Sequence, residues 1–563
     1  MSTGHCSSKN GSAGKRNSCA FLLTIFSSFI SFIWAAVFVS PSSAQNKSDH
    51  TDKSAMHQHY DAAYRFQSAG DFQHADAEHT LFLVAALDHL ANFHANIGDY
   101  AHAATSYNEA LALIPTDFNA VIDYAGAALD AHDPKKAKSL LQIFVNSGSP
   151  SLSDGQKAEV HRLFGTALRE LDDSKGAVDH LQQAVALNPD IENLCALGNT
   201  ILGIDSKKAA AIFAKVVTKY GDTAAVHMRI GRIYALGGSP DEAVNEFKKA
   251  IAENPKMAGT HYSLGAAYMT SSKRDFAGAE TEFRKELALH PSDTLSYPQL
   301  GYIALTRHDY HSAEINFKRA IALNPLAADN YMQLGKLYME TRHDDEAEAA
   351  FRKAIDLTVD PASNSYEIER AHYRLGRLLM ERGNKSEAEK ELKISQDLLT
   401  ERDRESAAKL NGEEVQRNPL EKTKVATPEE MEELKLFKKQ ASPLIAASYN
   451  NLGVHSAMAN DFSRATRYFQ LAAKWNPALP GVDANWGRAA FAAHDCAEAM
   501  VPLRKFLESH PSDSETQAML DQCSASIRRL RIIPITTSMP DPAFRLFRNG
   551  EFHASILLGF IAE

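Results

Sequence analysis

A motif that returns about every 34 residues constrains this chain more than any other feature. Each copy has an apolar residue followed by glycine, an alanine twelve residues after that glycine, an aromatic four residues later and a second alanine three residues after that. Three clear copies are Ile230–Pro255, Leu300–Pro325 and Leu334–Leu357. A fixed period of this length is typical of a solenoid of helix–turn–helix units, in which each unit contacts its neighbours.

Each unit reads as two amphipathic helices. The first helix carries Gly301, and the second carries Ala313, Phe317 and Ala320 at i, i+4 and i+7, which places these three on one face. The glycine and alanines are small because the two helix backbones approach closely there. The aromatic ring needs a neighbouring unit to cover it, and Pro325 ends the second helix because proline cannot continue the hydrogen-bond ladder.

This pattern resembles the tetratricopeptide repeat (TPR) family over roughly residues 58–525. The small residue of the second helix recurs at Ala103, Ala137, Ala177, Ala209, Ala243, Ala279, Ala313, Ala347, Ala388, Ala465 and Ala499. The resemblance implies an all-α fold, a right-handed α-solenoid of about 11–12 TPR helix–turn–helix units in two blocks, preceded by an N-terminal signal or anchor helix.

The N-terminus has the features of a targeting segment. Lys9, Lys15 and Arg16 precede an apolar run over residues 20–39, and a small-residue site ends at Ala44. Cleavage after Ala44 and retention of residues 20–39 as a membrane anchor both fit, since twenty apolar residues suffice to span a bilayer. Either way we expect an exported protein, and exported TPR chains point to a bacterial periplasm or cell envelope.

The chain's order suggests six segments. They are a signal peptide or anchor (1–44), a polar disordered lead (45–57), a TPR array (58–400), a charged helical spacer (401–441), a C-terminal TPR block with a capping helix (442–528) and a tail (529–563). In the last block, antiparallel helices would bring Cys496 close to Cys523, which makes a disulfide possible; the alternative is two unrelated small apolar residues.

The sequence offers no catalytic constellation. It contains no H-E-x-x-H, G-x-S-x-G, C-x-x-C or P-loop motif, and neither the spacer nor the tail is long enough to bury a catalytic core. The 23 histidines, several of them near the start, read as scattered surface and interface residues rather than as a metal site. We therefore expect no enzyme activity, no cofactor and no metal. The net charge of −10 makes the chain a poor general nucleic-acid binder.

By the resemblance, first helices line the concave face, and the residue after each glycine points into that groove. Four of the eleven residues at this position are basic and none is acidic. The candidate partner-binding residues there and beside it are Asn199, Arg232, Tyr262, Tyr302, Lys336, Tyr373, Arg377, Asn450 and Arg488. Basic donors interleaved with Tyr and Asn suit an extended segment with carboxylates, although exposed helix positions also favour Arg and Lys in general.

Two functions follow as expectations. The first is a non-catalytic protein–protein interaction scaffold of the cell envelope, which binds one or more proteins or peptides through an extended or acidic segment in the groove. The alternative is a component of an envelope export or assembly machine, for example in polysaccharide secretion, with an acidic polysaccharide as ligand. Membrane contact would be made only through residues 20–39, if they are uncleaved.

Overall fold

A computed structural model describes residues 45–147, 151–358, 365–410 and 428–532. Within these ranges the chain forms 24 helices and no strand, which confirms the predicted all-α fold of paired helices. None of these helices is both long and apolar enough to cross a bilayer. The predicted targeting segment 1–44, the tail beyond residue 532 and residues 411–427 of the predicted spacer lie outside the described residues.

The helices alternate with short turns along the chain. The first nine are α1 (Gln45–Ser68), α2 (Phe72–Asn96), α3 (Tyr100–Leu113), α4 (Phe118–Asp130), α5 (Pro134–Ser147), α6 (Asp154–Glu170), α7 (Ser174–Leu187), α8 (Ile191–Leu202) and α9 (Ser206–Tyr220). The next eight are α10 (Ala224–Leu236), α11 (Pro240–Glu253), α12 (Thr260–Thr270), α13 (Phe276–Leu289), α14 (Ser296–Thr306), α15 (Tyr310–Leu323), α16 (Ala328–Glu340) and α17 (Asp344–Leu357). The last seven are α18 (Ser365–Glu381), α19 (Lys385–Leu410), α20 (Pro428–Met458), α21 (Phe462–Trp475), α22 (Val482–Ala492), α23 (Cys496–Ser509) and α24 (Ser514–Ile532).

The described helices group into two compact units. A continuous unit contains the residues after Ala127 up to the end of α19, and a discontinuous unit combines residues 45–127 with residues 428–532. This grouping differs from the order along the sequence, in which residues 58–400 were expected to form one array. In the discontinuous unit Phe82 and Leu87 of α2 share one apolar cluster with Leu434 and Ile445 of α20.

In most units the glycine of the first helix receives an aromatic ring from the second helix, and at Gly165, Gly376 and Gly487 it receives a leucine side chain instead. A Cβ atom built on Gly301 would lie 2.6 Å from Cε1 of Phe317, and this ring is fully buried. The same arrangement recurs in five other units, in the pairs Gly198–Phe213, Gly231–Phe247, Gly265–Phe283, Gly335–Phe351 and Gly453–Phe469. In these units the recurring residues predicted from the sequence form the contact between the paired helices.

The turn between the two helices of a unit is also repeated. A residue with positive φ is followed by the residue that caps the second helix, as at His308 (φ 59°) and Asp309, whose carboxylate accepts the backbone N–H of Ser312 at 3.1 Å. This satisfies one of the N–H groups that a helix start leaves without a partner. The turn chemistry thus fixes where each second helix begins.

Many histidines join the two helices of one unit. Each of these histidines lies on a first helix, four residues before the small residue of that helix. Its partner lies on the second helix, three residues after the recurring alanine of the repeat. The Nδ1–carboxylate distances are 2.6 Å for His59–Glu78, 2.6 Å for His227–Glu246, 2.5 Å for His261–Glu282 and 2.6 Å for His372–Glu391. At His161 the acid is replaced by His180, 2.9 Å away between the two Nδ1 atoms. These histidines therefore have a structural role, which is to join the two helices of a unit.

We predict that Gly301→Ala destabilises the continuous unit, although alanine is the better helix former. The added Cβ would overlap the buried ring of Phe317, so the ring or the helix must shift, at a cost of about 1–3 kcal/mol. Gly155→Ala is the matched control: it lies in α6 of the same unit, is exposed, and the nearest atom to its Cβ is Oγ of Ser153 at 3.9 Å. That control should stabilise by a few tenths of a kcal/mol up to about 1 kcal/mol. Urea denaturation followed by circular dichroism compares the two variants. Equal effects would contradict the close packing of Phe317 against Gly301.

Candidate functional site

The nine candidate partner-binding residues differ widely in exposure. Tyr373 is 45% exposed and Arg377 is also exposed, whereas Tyr262 (2%) and Arg488 (7%) are buried. The other five are half-buried: Asn199, Arg232, Tyr302, Lys336 and Asn450. Asn450 and Arg488 belong to the discontinuous unit and the other seven to the continuous unit.

The two buried candidates serve the interior of their units. Tyr262 packs against Phe283, with ring centroids 5.7 Å apart, and burial raises the pKa of its phenol. The guanidinium of Arg488 lies over the ring of Phe506, 5.9 Å from its centroid. Helical spacing placed both residues beside the expected groove, but it could not show how far the neighbouring unit covers them. Neither is accessible to a partner in this structure.

Arg232 is a half-buried candidate cation with an unsatisfied donor. Its Nε atom is buried and has no hydrogen-bond partner among the described residues. Burial lowers the pKa of its guanidinium, because the charged form has lost hydration. A buried polar atom without a partner is unfavourable by about 1–3 kcal/mol, so this side chain is held at some cost to the local stability.

Positive charges converge on Tyr302 of α14. Burial raises the pKa of its phenol, while the charges of Arg274 and Arg370 act to lower it. Arg274 is exposed in the turn before α13 with φ 46°, and Arg370 lies on α18, seven residues before Arg377. Neither residue was predicted from the sequence. The signal for Arg370 was the seven-residue spacing, which places it on the same helix face as Arg377.

The remaining cations of this position have acidic neighbours on their own helices. Nζ of Lys336 lies 4.0 Å from Glu340, and a guanidinium nitrogen of Arg377 lies 3.5 Å from Glu381. Both are exposed or half-exposed pairs at i, i+4, which stabilise a helix by only about 0.3–0.5 kcal/mol. A ligand carboxylate can therefore compete for either cation at little cost.

The two candidate cysteines are brought together. Cys496 at the start of α23 and Cys523 on α24 form a disulfide with Cα atoms 4.8 Å apart. Cys523 is fully buried beside Met519 and Leu503. Cys195 is a free buried thiol whose pKa burial raises to about 11, so it carries no thiolate near neutral pH.

A second polar cluster was not predicted. His94 at the end of α2, Asp99 before α3 and His102 on α3 place one ligand atom each within 4.8 Å of one another. Nδ1 of His102 lies 3.0 Å from the Asp99 carboxylate, and Nδ1 of His94 lies 3.3 Å from it. From the sequence, His94 was expected to be one of several scattered surface and interface histidines, because histidine spacings within a single helix gave no metal site. The overlooked signal is His-x4-Asp-x2-His across an expected turn.

These features define a class of protein: an array of paired helices whose repeated first-helix position carries half-buried cations and tyrosines. Family models place the array. A TPR repeat model matches residues 231–271, and tetratricopeptide repeat models match residues 84–117 and 299–366. The chain contains tetratricopeptide repeats, and proteins with such repeats are generally non-catalytic and bind protein partners.

Similar proteins cover only parts of the chain. Superkiller complex protein 3 of Mus musculus is 29% identical over 198 residues, which is 34% of this chain and 12% of that protein's length. The solved structure of MamA is 26% identical, covering 31% of this chain and 97% of its own, with a TM-score of 0.28. A tetratricopeptide repeat protein from Parabacteroides merdae is 14% identical, covering 45% of this chain and 98% of its own, with a TM-score of 0.32.

Proposed function

We propose that the chain is a protein–protein interaction scaffold whose continuous unit binds an extended, acidic segment of a partner along the first-helix position of Arg232, Tyr302 and Lys336. The observation that carries this proposal is the half-buried guanidinium of Arg232, which has lost part of its hydration. A cation that is already partly desolvated gains more from a carboxylate than one in bulk water.

The surroundings of Tyr302 extend the same surface. Arg274 and Arg370 put two further positive charges near its hydroxyl, and Arg377 adds a third cation on α18. An extended peptide with carboxylates spaced along it can meet these donors in turn, whereas a compact anion meets only one or two. The net charge of the chain is −10, so the protein as a whole does not attract anions. This local excess of cations would therefore direct an acidic segment to this surface.

We also propose that the protein works outside the cytoplasm, in a bacterial envelope, without catalysis. The support is the basic flank, the apolar run over 20–39 and the small-residue site at Ala44. The Cys496–Cys523 disulfide is compatible with an oxidising compartment. Fractionation of cells that express the full chain, with the mass of the exported form, distinguishes cleavage from anchoring; a cytoplasmic protein would contradict this proposal.

We predict that reversing the three cations in Arg232→Glu, Lys336→Glu and Arg377→Glu weakens binding of an acidic peptide by about 10- to 30-fold or more, because each carboxylate then meets a like charge. The measurement is fluorescence anisotropy of a labelled peptide of alternating Glu and Ser, with the full-length protein. Circular dichroism should show unchanged helicity.

The matched control reverses three exposed lysines on second helices of the same unit: Lys215→Glu, Lys353→Glu and Lys393→Glu. It changes the net charge by the same amount, so it should leave the peptide affinity within about twofold if position matters. Equal loss in both variants would mean that only net charge acts, and would contradict the groove. Binding of alginate, an acidic polysaccharide, but not of the peptide would favour the export-machine alternative.

A further inference from the structure

We propose that His94, Asp99 and His102 form a binding site for a transition-metal dication such as Zn²⁺, at the turn between α2 and α3. Two imidazole nitrogens and one carboxylate oxygen are the ligand types that Zn²⁺ takes in proteins, and three protein ligands leave a position open for water. The site lies in the discontinuous unit, outside the surface assigned above to a partner.

The turn brings the three side chains together. Gly98 has φ 75°, and the backbone N–H of Asp99 donates to the carbonyl of His94 at 2.8 Å, so the chain reverses within four residues. The two imidazole rings then stack, with centroids 5.1 Å apart and an angle of 21° between their planes. In a tetrahedral zinc site, bonds of about 2.0–2.1 Å place neighbouring ligand atoms about 3.3–3.4 Å apart. The His–Asp distances of 3.0 and 3.3 Å are close to that spacing.

The carboxylate of Asp99 is turned toward the histidines rather than toward the helix start. Asp99 holds the N-cap position of α3 but makes no side-chain cap hydrogen bond. In equivalent positions Asp173, Asp309 and Asp461 each accept a backbone N–H from the third residue of the helix. Since an N-cap hydrogen bond is worth about 1 kcal/mol, its absence here indicates that the carboxylate is directed to the two rings.

The same framework occurs 28 residues earlier without the third ligand. His74 lies beside Asp71, with Nδ1 2.7 Å from the carboxylate, but Phe66 stands where the second unit has His94. The rings of Phe66 and His74 stack with centroids 5.2 Å apart. The chain therefore carries its own two-ligand control, in nearly the same geometry and in the same unit.

The exposure of the ligands allows a metal to enter. His94 is 3% exposed and Asp99 is 6% exposed, which fixes two of the ligands, while the His102 side chain is 66% exposed at the rim. The ammonium of Lys438 repels a proton on His94 and attracts the carboxylate of Asp99. A bound dication would replace it as the countercharge of Asp99, so the lysine competes with the metal.

The test measures Zn²⁺ affinity of the full-length protein by competition with a chromogenic chelator, and Co²⁺ binding by its visible ligand-field bands. His102→Ala should weaken Zn²⁺ binding by at least about 10- to 100-fold, because loss of a direct ligand costs no less than loss of a residue that only orients a ligand. His74→Ala, the matched control, should leave it unchanged. Because His102 is exposed, its replacement should not affect folding, and circular dichroism checks this.

Three outcomes would overturn the site. They are equal losses in His74→Ala and His102→Ala, Co²⁺ bands of a six-coordinate aqua ion, and unchanged binding in His94→Phe, which copies the earlier turn. Two further results would support it: tighter Zn²⁺ binding by Lys438→Met, and thermal stabilisation by Zn²⁺ that His102→Ala abolishes. A metal that binds the folded state at 100 times its dissociation constant stabilises by about 2.7 kcal/mol, which a melting curve detects.

Discussion

Removal of the Cys496–Cys523 disulfide is expected to lower the free energy of unfolding of the last two helices by about 3–4 kcal/mol. The bridge closes a loop of 27 residues and joins the start of α23 to the buried face of α24. Without it the unfolded chain regains the entropy of that loop, while the apolar contacts of Met519 and Leu503 remain. The helix at the end of a stack has a neighbour on one side only, so it depends on the covalent link more than an interior helix does.

The measurement compares Cys496→Ala/Cys523→Ala with the oxidised parent in urea, and follows amide hydrogen exchange in α24. Cys195→Ala is the control, because that thiol is buried and free in the continuous unit. A reducing agent should shift the parent to the curve of the double variant and leave the double variant unchanged. Identical curves for oxidised and reduced parent would show that the bridge does not stabilise this end of the chain.

The repeat pattern was sufficient to predict the units themselves. Gly301 and Phe317 occupy the positions that the spacing demands, and the structure puts one against the other. The pattern was not sufficient to predict which units pack together. Glu109 accepts hydrogen bonds from Nζ of Lys474 and Nε1 of Trp475, both at 2.7 Å, across more than 360 residues of sequence. The first helices of different units resemble one another, and so do the second helices. The periodicity therefore carries no information about such long-range pairing.

The candidate site shows the same limit at the level of single residues. Arg232 and Tyr262 hold related positions in neighbouring units, yet the first is half-buried and the second is 2% exposed. The difference depends on how the next unit covers each helix, which one sequence does not state. The proximity of Arg370 and Arg274 to Tyr302 was not predictable from the sequence, because one lies two units away along the chain and the other lies in a turn.

The second large effect concerns pH and His79, which is fully buried on α2. Its Nδ1 lies 3.1 Å from Oγ of Ser448, and its Nε2 lies 3.2 Å from Nδ2 of Asn451, both on α20. Asn451 donates to Nε2, which fits a neutral ring whose Nδ1–H points to Ser448. Protonation would place two donors face to face at Nε2, where the other acceptor, Oε1 of Gln67, lies 3.5 Å away.

The charged neighbours of this ring act in both directions. Burial is the main cause that lowers the pKa of His79, from 6.5 to about 4. A positive charge on His455 lowers it further, while Asp76 acts to raise it. His455 and Asp76 themselves pair at 2.5 Å, so the carboxylate is already shared with another imidazole. The result is a neutral histidine at the contact between the first helices and the C-terminal helices.

The sign of the pH dependence follows from this. Above pH 6.5 neither state binds a proton at His79, and the contact has its full stability. Between pH 6.5 and about 4 the unfolded state takes up the proton and the folded state does not, so stability falls as the pH falls. A shift of this size corresponds to about 3 kcal/mol, lost from the discontinuous unit by pH 4.

His79→Gln should remove the His79 part of this dependence, because an amide keeps hydrogen-bonding groups near Ser448 and Asn451 but does not titrate. His94 in the same unit, whose pKa burial also lowers to about 4, keeps its own part in the variant and in the parent. We expect the variant to be similar to or slightly less stable than the parent at pH 7, and more stable than the parent at pH 4.5, in urea titrations with EDTA present. His494→Asn, an exposed turn residue with φ 62° in the same unit, is the control and should keep the parent's pH dependence. Parallel curves for His79→Gln and the parent would mean that the ring takes up its proton without opening the contact. Divergent curves would show that the contact between α2 and α20 depends on the neutral imidazole of His79. The repeats alone do not specify this contact.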